Sequence, residues 1–378
     1  MSAPPISDQH REVLATLRST PILAGAAAFV LLSAGAFWWQ WSRVAPGGAG
    51  PALATIRWGY LPLLLLAWPV ETVASALRTW LLCRVLGPRV RFATCVEAEW
   101  ANVAVSLLTP SQSGGGPGQM YLLTRAGLSV ATALSVSLLS FAGTLAALLV
   151  LAGYSLWAAP AATGRVVASA AWTFVAVVAA IALGALAPDA IRRVLGAVSW
   201  GARHVIGRPG HLGDRAVAAD RATAVVQRLD ALTARAVDLA YAFRGHVARL
   251  VRHGKATAVA VVLLSVAFLA ARAILPFLCA RFLGVEGLAL RPVLGAQAAL
   301  IFLVFFAPTP GGAGIAEGAS MALMADLVPS AYAPLYTLLW RFTTAYGAAI
   351  AGALCLARAL VADARRLARR VPGSRLAA

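Results

Sequence analysis

The chain is a succession of long apolar runs separated by short polar stretches. A membrane-spanning helix needs about 20 mostly apolar residues, and runs of that kind occupy 22–41, 59–85, 128–157, 166–187, 256–282 and 332–360. Two further apolar stretches, 93–120 and 292–328, are each interrupted by a cluster of proline and glycine. This pattern predicts an all-α polytopic integral membrane protein with about six full spans and two re-entrant helical hairpins. The first run ends on Trp38, Trp39 and Trp41, residues suited to a membrane–water interface. Arg11 and Arg18 ahead of that run, and the small residues Ala34, Gly35 and Ala36 within it, also fit a cleaved signal peptide. The length of the run and the bulky tryptophans directly after it favour a retained span.

The sizeable hydrophilic region is 188–255. It has helical periodicity from about Arg215 to Val251, with Val217, Val225, Leu229, Leu232, Leu239, Phe243, Val247 and Leu250 on one face. Arg221, Arg228 and Arg235 recur every seven residues and form one stripe. His204, His211, His246 and His253 lie here too, at spacings that do not suit a metal site. The region reads as a cytoplasmic helical hairpin resting on lipid headgroups. The expected organisation is a cytoplasmic segment 1–21, a transmembrane domain 22–360 carrying that loop, and a basic cytoplasmic tail 361–378.

Composition sharpens the class. Hydrophobic residues make up 60% of the 378 and charged residues only 12%, against about 25% charged in a soluble domain. That excludes an ordinary globular enzyme, and the apolar content excludes disorder. The net charge of +18 comes from 32 basic residues, all arginine except Lys255. If the N-terminus is cytoplasmic and both hairpins enter and leave on one side, 24 basic residues fall inside and 5 outside. So strong a positive-inside bias makes the charge a matter of topology and attraction to anionic lipid, not of nucleic-acid binding. It also places both termini in the cytoplasm. Cys83, Cys95, Cys279 and Cys355 are scattered within or beside apolar runs, giving neither a disulfide framework nor a metal site. No cofactor motif or nucleotide-binding loop is present in the sequence.

Two segments of the chain look alike. The first runs from Arg78 through Leu86-Gly87 to Thr109-Pro110-Ser111-Gln112-Ser113-Gly114-Gly115-Gly116-Pro117-Gly118-Gln119. The second runs from Arg272 through Leu283-Gly284 to Pro308-Thr309-Pro310-Gly311-Gly312-Ala313-Gly314-Ile315-Ala316-Glu317-Gly318. Each reads as a span carrying an arginine, a short link, a half-length helix, a break and a further helix. The topology has the first break approached from inside and the second from outside, an inverted repeat of the kind found in transporters. Proline ends a helix and glycine permits positive φ, and such backbone is tolerated at membrane depth only where protein buries it or water reaches it. Half-helices starting after Gly118 and after Gly314 would turn N–H groups toward an anion such as a lipid phosphate. Gly314 and Gly318 equally suit close helix packing.

A charged residue at the bilayer centre costs about 2.5–3.5 kcal/mol on insertion scales, so Glu71, Arg78, Arg272, Glu317 and Arg341 each need partners. Glu71 and Arg78 lie about two turns apart and are not expected to pair directly. Arg78 and Arg272 sit toward span ends, where snorkelling competes with a binding role. Glu317, directly after a break, and Arg341, well inside its helix, are the stronger candidates for function.

The stretch Pro308–Glu317 closely resembles the PTPGG-G---E signature of the lysylphosphatidylglycerol synthase transmembrane-region family of flippase-like membrane proteins. Arg78-Thr79-Trp80-Leu81-Leu82, Asn102, the Thr109–Gln119 stretch and Arg125-Ala126-Gly127 look like the first half of that family, and Arg341 matches its late-helix arginine. Many members carry an arginine where this chain has Gln119, which puts a headgroup contact there in doubt. The resemblance implies a domain that moves aminoacylated or other phospholipids between leaflets. Only 18 residues follow Leu360, too few for the synthase domain, so no enzymatic activity is expected.

The resulting expectation is a translocase for a phospholipid or polyprenyl-phosphate-linked lipid in a plasma membrane, with membrane lipids as partners and a homo-oligomer or a partner membrane protein as a further option. Arg78, Arg272 and Arg341 would receive phosphate, Glu317 a cationic or hydroxyl headgroup, with Glu71 and Gln119 beside them. Two alternatives stand beside it: a scaffold recruiting partners through 188–255, and a transferase acting on a lipid phosphate, for which Glu71 and Glu317 are the acid–base candidates.

Overall fold

The computed structural model describes residues 20–42, 53–109, 114–158, 215–305 and 307–370, with isolated positions between 175 and 200. The expected span 166–187 falls almost wholly outside the described residues, as do Pro110, the segment 1–19 and the last residues of the expected tail. Among the described residues every regular element is helical. The helices are α1 (Thr20–Ser42), α2 (Leu61–Leu86), α3 (Phe92–Leu107), α4 (Gly115–Arg125), α5 (Val130–Ala158), α6 (Arg215–His253), α7 (Lys255–Phe282), α8 (Leu290–Phe305), α9 (Ile315–Met324), α10 (Ala333–Arg341) and α11 (Gly347–Arg370). A single π-helical turn, Phe342–Tyr346, joins α10 to α11. Four helical stretches are long and apolar enough to cross a membrane: Trp58–Leu86, Val130–Leu151, Lys255–Phe282 and Ser330–Arg366. These coincide with four of the six predicted spans.

The chain divides into two compact units. One comprises 173–255 and is dominated by α6. Within it Tyr241 donates a hydrogen bond to Asp189, which holds the phenol above its ordinary pKa. Burial, with Arg249 adding to it, lowers the His246 imidazole below its usual value.

The other unit, 1–172 with 256–378, contains the apolar bundle. Its pattern of burial is inverted relative to a soluble protein. On α2 the apolar Leu63, Leu65, Leu66, Val70 and Val73 are exposed, while Glu71, Ser75, Arg78 and Thr79 are buried. Leu263 on α7 and Ile350, Leu354 and Val361 on α11 likewise face outward. A surface of leucine and valine around a polar interior suits hydrocarbon as the surrounding solvent, where a polar side chain must find its partner inside the protein.

Both interrupted stretches fold as helical hairpins. In each, a 16-residue helix, α3 or α8, leads into the break and a shorter one, α4 or α9, leads out. Helix α4 begins at Gly115, four residues before the start expected from the sequence, because Pro117 falls in the first turn, where its missing N–H costs nothing. Helix α9 starts at Ile315, as expected. The second break owes its path to glycine: Gly311, Gly312 and Gly314 all have positive φ, at 57°, 69° and 79°. A Cβ on Gly314 or Gly318 would meet no described atom within 4 Å, so backbone conformation at Gly314 accounts for that residue better than helix packing does. The last helix continues to Arg370 and buries Asp363.

Candidate functional site

The two breaks meet. The backbone N–H of Gly311 donates to the carbonyl of Thr109 at 3.4 Å, joining the turn after α8 to the turn after α3. Helix α1 lies against both. Gly25 is close enough to the first break that a Cβ there would stand 1.9 Å from the Leu108 carbonyl oxygen. Phe29 packs beside Gly311, and Gln40 donates to the Glu317 carbonyl at 3.3 Å.

Charged groups buried around this junction are arranged in three clusters. In the first, Arg341 at the end of α10 faces Glu317 in the first turn of α9. Arg341 Nε stands 2.9 Å from Glu317 Oε1, a close ion pair whose angle falls short of a hydrogen bond. Both side chains are sealed, at 4% and 3% exposure. The other oxygen of Glu317 accepts the N–H of Gly314 at 2.7 Å, and an Arg341 terminal nitrogen donates to the Gly311 carbonyl at 3.3 Å. The carboxylate therefore caps its own half-helix, and the guanidinium ties that cap to the break. The matching N–H in the first break, that of Gly114, is taken by the Thr109 hydroxyl at 2.8 Å. The N–H groups of Gly114 and Gly314, at the observed starts of the two half-helices, are thus engaged within the chain, because an unpaired backbone donor at membrane depth is costly.

In the second cluster, Glu71 on α2 pairs with Arg272 on α7 at 2.7 Å. The expectation that Glu71 and Arg78 do not pair directly holds, and Glu71 finds its cation on another helix. This pair is the more open of the two, with 11% and 23% of the side chains exposed.

The third cluster surrounds Arg78. Its guanidinium does not snorkel to a headgroup. It donates to Thr144 on α5 at 2.8 Å, to Ser265 on α7 at 2.9 Å and to Ser75 at 3.2 Å. Gly143 makes room for this approach, since a Cβ there would come within 2.8 Å of Ser265. Ser75 in turn donates to Glu99 on α3 at 2.6 Å, Thr79 donates to the other oxygen of Glu99, and Gln119 on α4 donates to that same oxygen at 2.7 Å. Gln119 is held in place because its carbonyl accepts the Ser137 hydroxyl at 2.6 Å. In this structure, then, Gln119 contacts Glu99 inside the bundle. The ring of Phe268 lies between the second and third clusters, 5.8 Å from the Arg78 guanidinium and 6.0 Å from that of Arg272.

The contacts of α2 with α7 carry a symmetry. Glu71 and Ser265 are separated along the chain by the same number of residues as Arg78 and Arg272. If each first-repeat residue is matched to its second-repeat counterpart, Glu71–Arg272 and Ser265–Arg78 become the same contact seen from the two sides. Equivalent helices crossing antiparallel through reciprocal contacts are what an inverted repeat requires.

Several residues of the site have no counterpart among the sequence candidates. Glu99, Ser75, Thr79, Thr144 and Ser265 complete the Arg78 cluster. Asp363, fully inside, accepts the Tyr121 hydroxyl at 2.6 Å and pairs with Arg125 at 3.1 Å. The usable signal for Glu99 was its place in an apolar half-helix. Asp363 was obscured by the arginines that follow it.

These features define a polytopic helical membrane protein built on two broken hairpins with buried charge at their junction. The chain belongs to the lysylphosphatidylglycerol synthase TM region family, which residues 24–352 match. No curated protein matches it. Family membership makes it a membrane protein related to lipid handling.

Proposed function

We propose that the protein is a lipid translocase, moving a phospholipid or polyprenyl-phosphate-linked lipid between leaflets of a plasma membrane without chemical change, with both termini in the cytoplasm. The observation that carries this reading is the row of buried charges at the meeting of two broken hairpins, inside a bundle whose surface suits hydrocarbon. A phosphate diester is a bidentate acceptor for guanidinium, as a carboxylate is. A headgroup can therefore replace a carboxylate on an arginine without leaving the cation unpaired. Arg272 is the natural first contact because its pair with Glu71 is the more exposed. Arg78 shares the Phe268 ring with it and lies next. Arg341 and Glu317 are the more sealed of these ion pairs and offer one charge of each sign, matching a headgroup that carries phosphate together with an amine or hydroxyl.

The test is reconstitution. In proteoliposomes carrying a fluorescent phospholipid, the wild-type protein should equilibrate the label between leaflets. Arg272→Ala and Arg341→Ala should each lose that activity while remaining monodisperse in detergent. Wild-type rates in both variants would overturn the assignment.

A further inference from the structure

A cavity of about 120 Å³ lies between α9 and α10, and none of the buried charges lines it. Methionine, valine and alanine make most of its wall: Met321 and Met324 on α9, Val328 in the connection, Ala333 on α10. Its floor is different. Ser320 is fully buried, and its Oγ has no hydrogen-bond partner among the described residues. Tyr336 on α10, 2% exposed, stands beside it. The Tyr336 hydroxyl oxygen accepts the Gln297 amide from α8 at 3.2 Å, which fixes the ring and leaves the phenolic proton to be donated. Two O–H groups thus face one apolar space, and neither proton has an acceptor of hydrogen-bonding geometry among the described residues. A buried hydroxyl left without a partner costs free energy, so the floor calls for an acceptor brought in by a ligand. Water would satisfy the hydroxyls but not the apolar wall around them.

The depth of the floor says which acceptor. Ser320 lies one turn before the end of α9 at Met324, about 6 Å of rise. Beyond that end Asp326 and Ser330 are exposed, marking the water-facing side. The interfacial layer outside the hydrocarbon core is about 5–8 Å thick on each side of a bilayer. The two hydroxyls therefore stand where headgroups give way to hydrocarbon, the level of the glycerol esters.

We propose that this cavity binds the ester-linked glycerol backbone of a phospholipid, with an ester carbonyl accepting from Ser320 and Tyr336 and the start of its acyl chain against Met321 and Met324. A carbonyl oxygen has two lone pairs and can take both donors. The space holds about four groups the size of a water molecule, enough for an ester and its first methylenes, while the headgroup stays outside. Methionine adapts to irregular apolar shapes, which suits chains of differing length. The inference deepens the translocase reading by naming its substrate class, because a diacyl phospholipid carries the required carbonyl and a polyprenyl phosphate does not. That choice of substrate rests on the translocase reading; the binding site does not.

Native mass spectrometry of the full chain tests this with two probes, a diacyl phosphatidylglycerol and its dialkyl ether analogue of equal chain length. The wild type should hold the diacyl lipid about tenfold more tightly, as two net hydrogen bonds allow. S320A and Y336F should each reduce that preference about threefold, with affinity for the ether lipid unchanged. A333L, which fills the space and keeps both hydroxyls, should also weaken diacyl binding and serves if Y336F does not fold. Equal affinity of the wild type for the two lipids, a preference that survives in the S320A/Y336F double variant, or full diacyl binding by A333L overturns the proposal. The two readings fail separately. A diacyl preference in binding without lipid movement in proteoliposomes overturns the translocase; movement of both lipids at equal rates, with equal affinity, overturns the ester site.

Discussion

The two repeats of the bundle solve one problem in different ways. In the second, Glu317 and Arg341 neutralise each other directly and lock the break through Gly311 and Gly314. In the first, Arg78 and Glu99 are kept apart by Ser75 and spread their charge over hydroxyls and an amide from α2 itself and from three other helices, α4, α5 and α7. A direct pair is strong but fails abruptly when one partner is lost. A dispersed network tolerates loss, because the two hydroxyls that reach Arg78 from other helices also have backbone acceptors: Thr144 to Ser140, and Ser265 to Val261. The first repeat can thus lose one contact without collapse, whereas the second behaves as an anchor.

The largest effect should come from breaking the anchor. Arg341→Ala leaves Glu317 buried and unpaired, which costs about 3–5 kcal/mol, and thermal unfolding in detergent should show the greatest fall in midpoint of any single variant in either repeat. Arg78→Ala should cost less, about 1–3 kcal/mol. Equal losses would erase the distinction between the repeats.

Next in size is the packing that holds the repeats together. Helix α11 lies so close to α3 that a Cβ on Gly352 would fall 2.0 Å from the Trp100 carbonyl oxygen. Gly352→Val must force the two helices apart, at about 1–3 kcal/mol, and should lower both the unfolding midpoint and the expressed yield. A variant as stable as wild type would show that this contact is not needed.

A double-mutant cycle sharpens the comparison between ion pairs. The coupling energy of Arg341 with Glu317 should exceed that of Arg272 with Glu71, because the first pair is nearly sealed and the second is partly open. The reverse order would mean that Arg272–Glu71 is the structural lock. Ser75→Ala comes last, at about 1.5–3 kcal/mol, because its hydroxyl accepts from Arg78 and donates to Glu99. A loss as large as that of Arg341→Ala would show that Ser75 is a linchpin of the network.

Much of the architecture was legible in the chain. Length and apolarity alone placed α1, α2, α5, α7 and the last span to within a few residues, because a bilayer sets the length of a spanning helix whatever its neighbours are. The proline and glycine clusters placed both breaks, since those residues act on their own backbone. The start of α4 lies four residues earlier than the glycine cluster suggests, because Pro117 is accommodated in its first turn. The candidate site was legible only in part. Arg78, Arg272, Glu71, Glu317 and Arg341 stand out as charges in apolar runs, but Glu99, which completes the Arg78 cluster, and Asp363, which pairs with Arg125, went unremarked.

By itself, then, the sequence determined that the protein is a helical membrane protein with two interrupted hairpins, and which charged residues must be sheltered. Those outcomes follow from properties local to each segment: transfer energy, helix length and backbone restriction. The tertiary structure decided who shelters whom. Glu71 chose Arg272 over the arginine on its own helix, Arg341 chose Glu317, and Arg78 was given hydroxyls in place of a carboxylate. Partnership depends on which faces of distant helices meet, and no single segment encodes that.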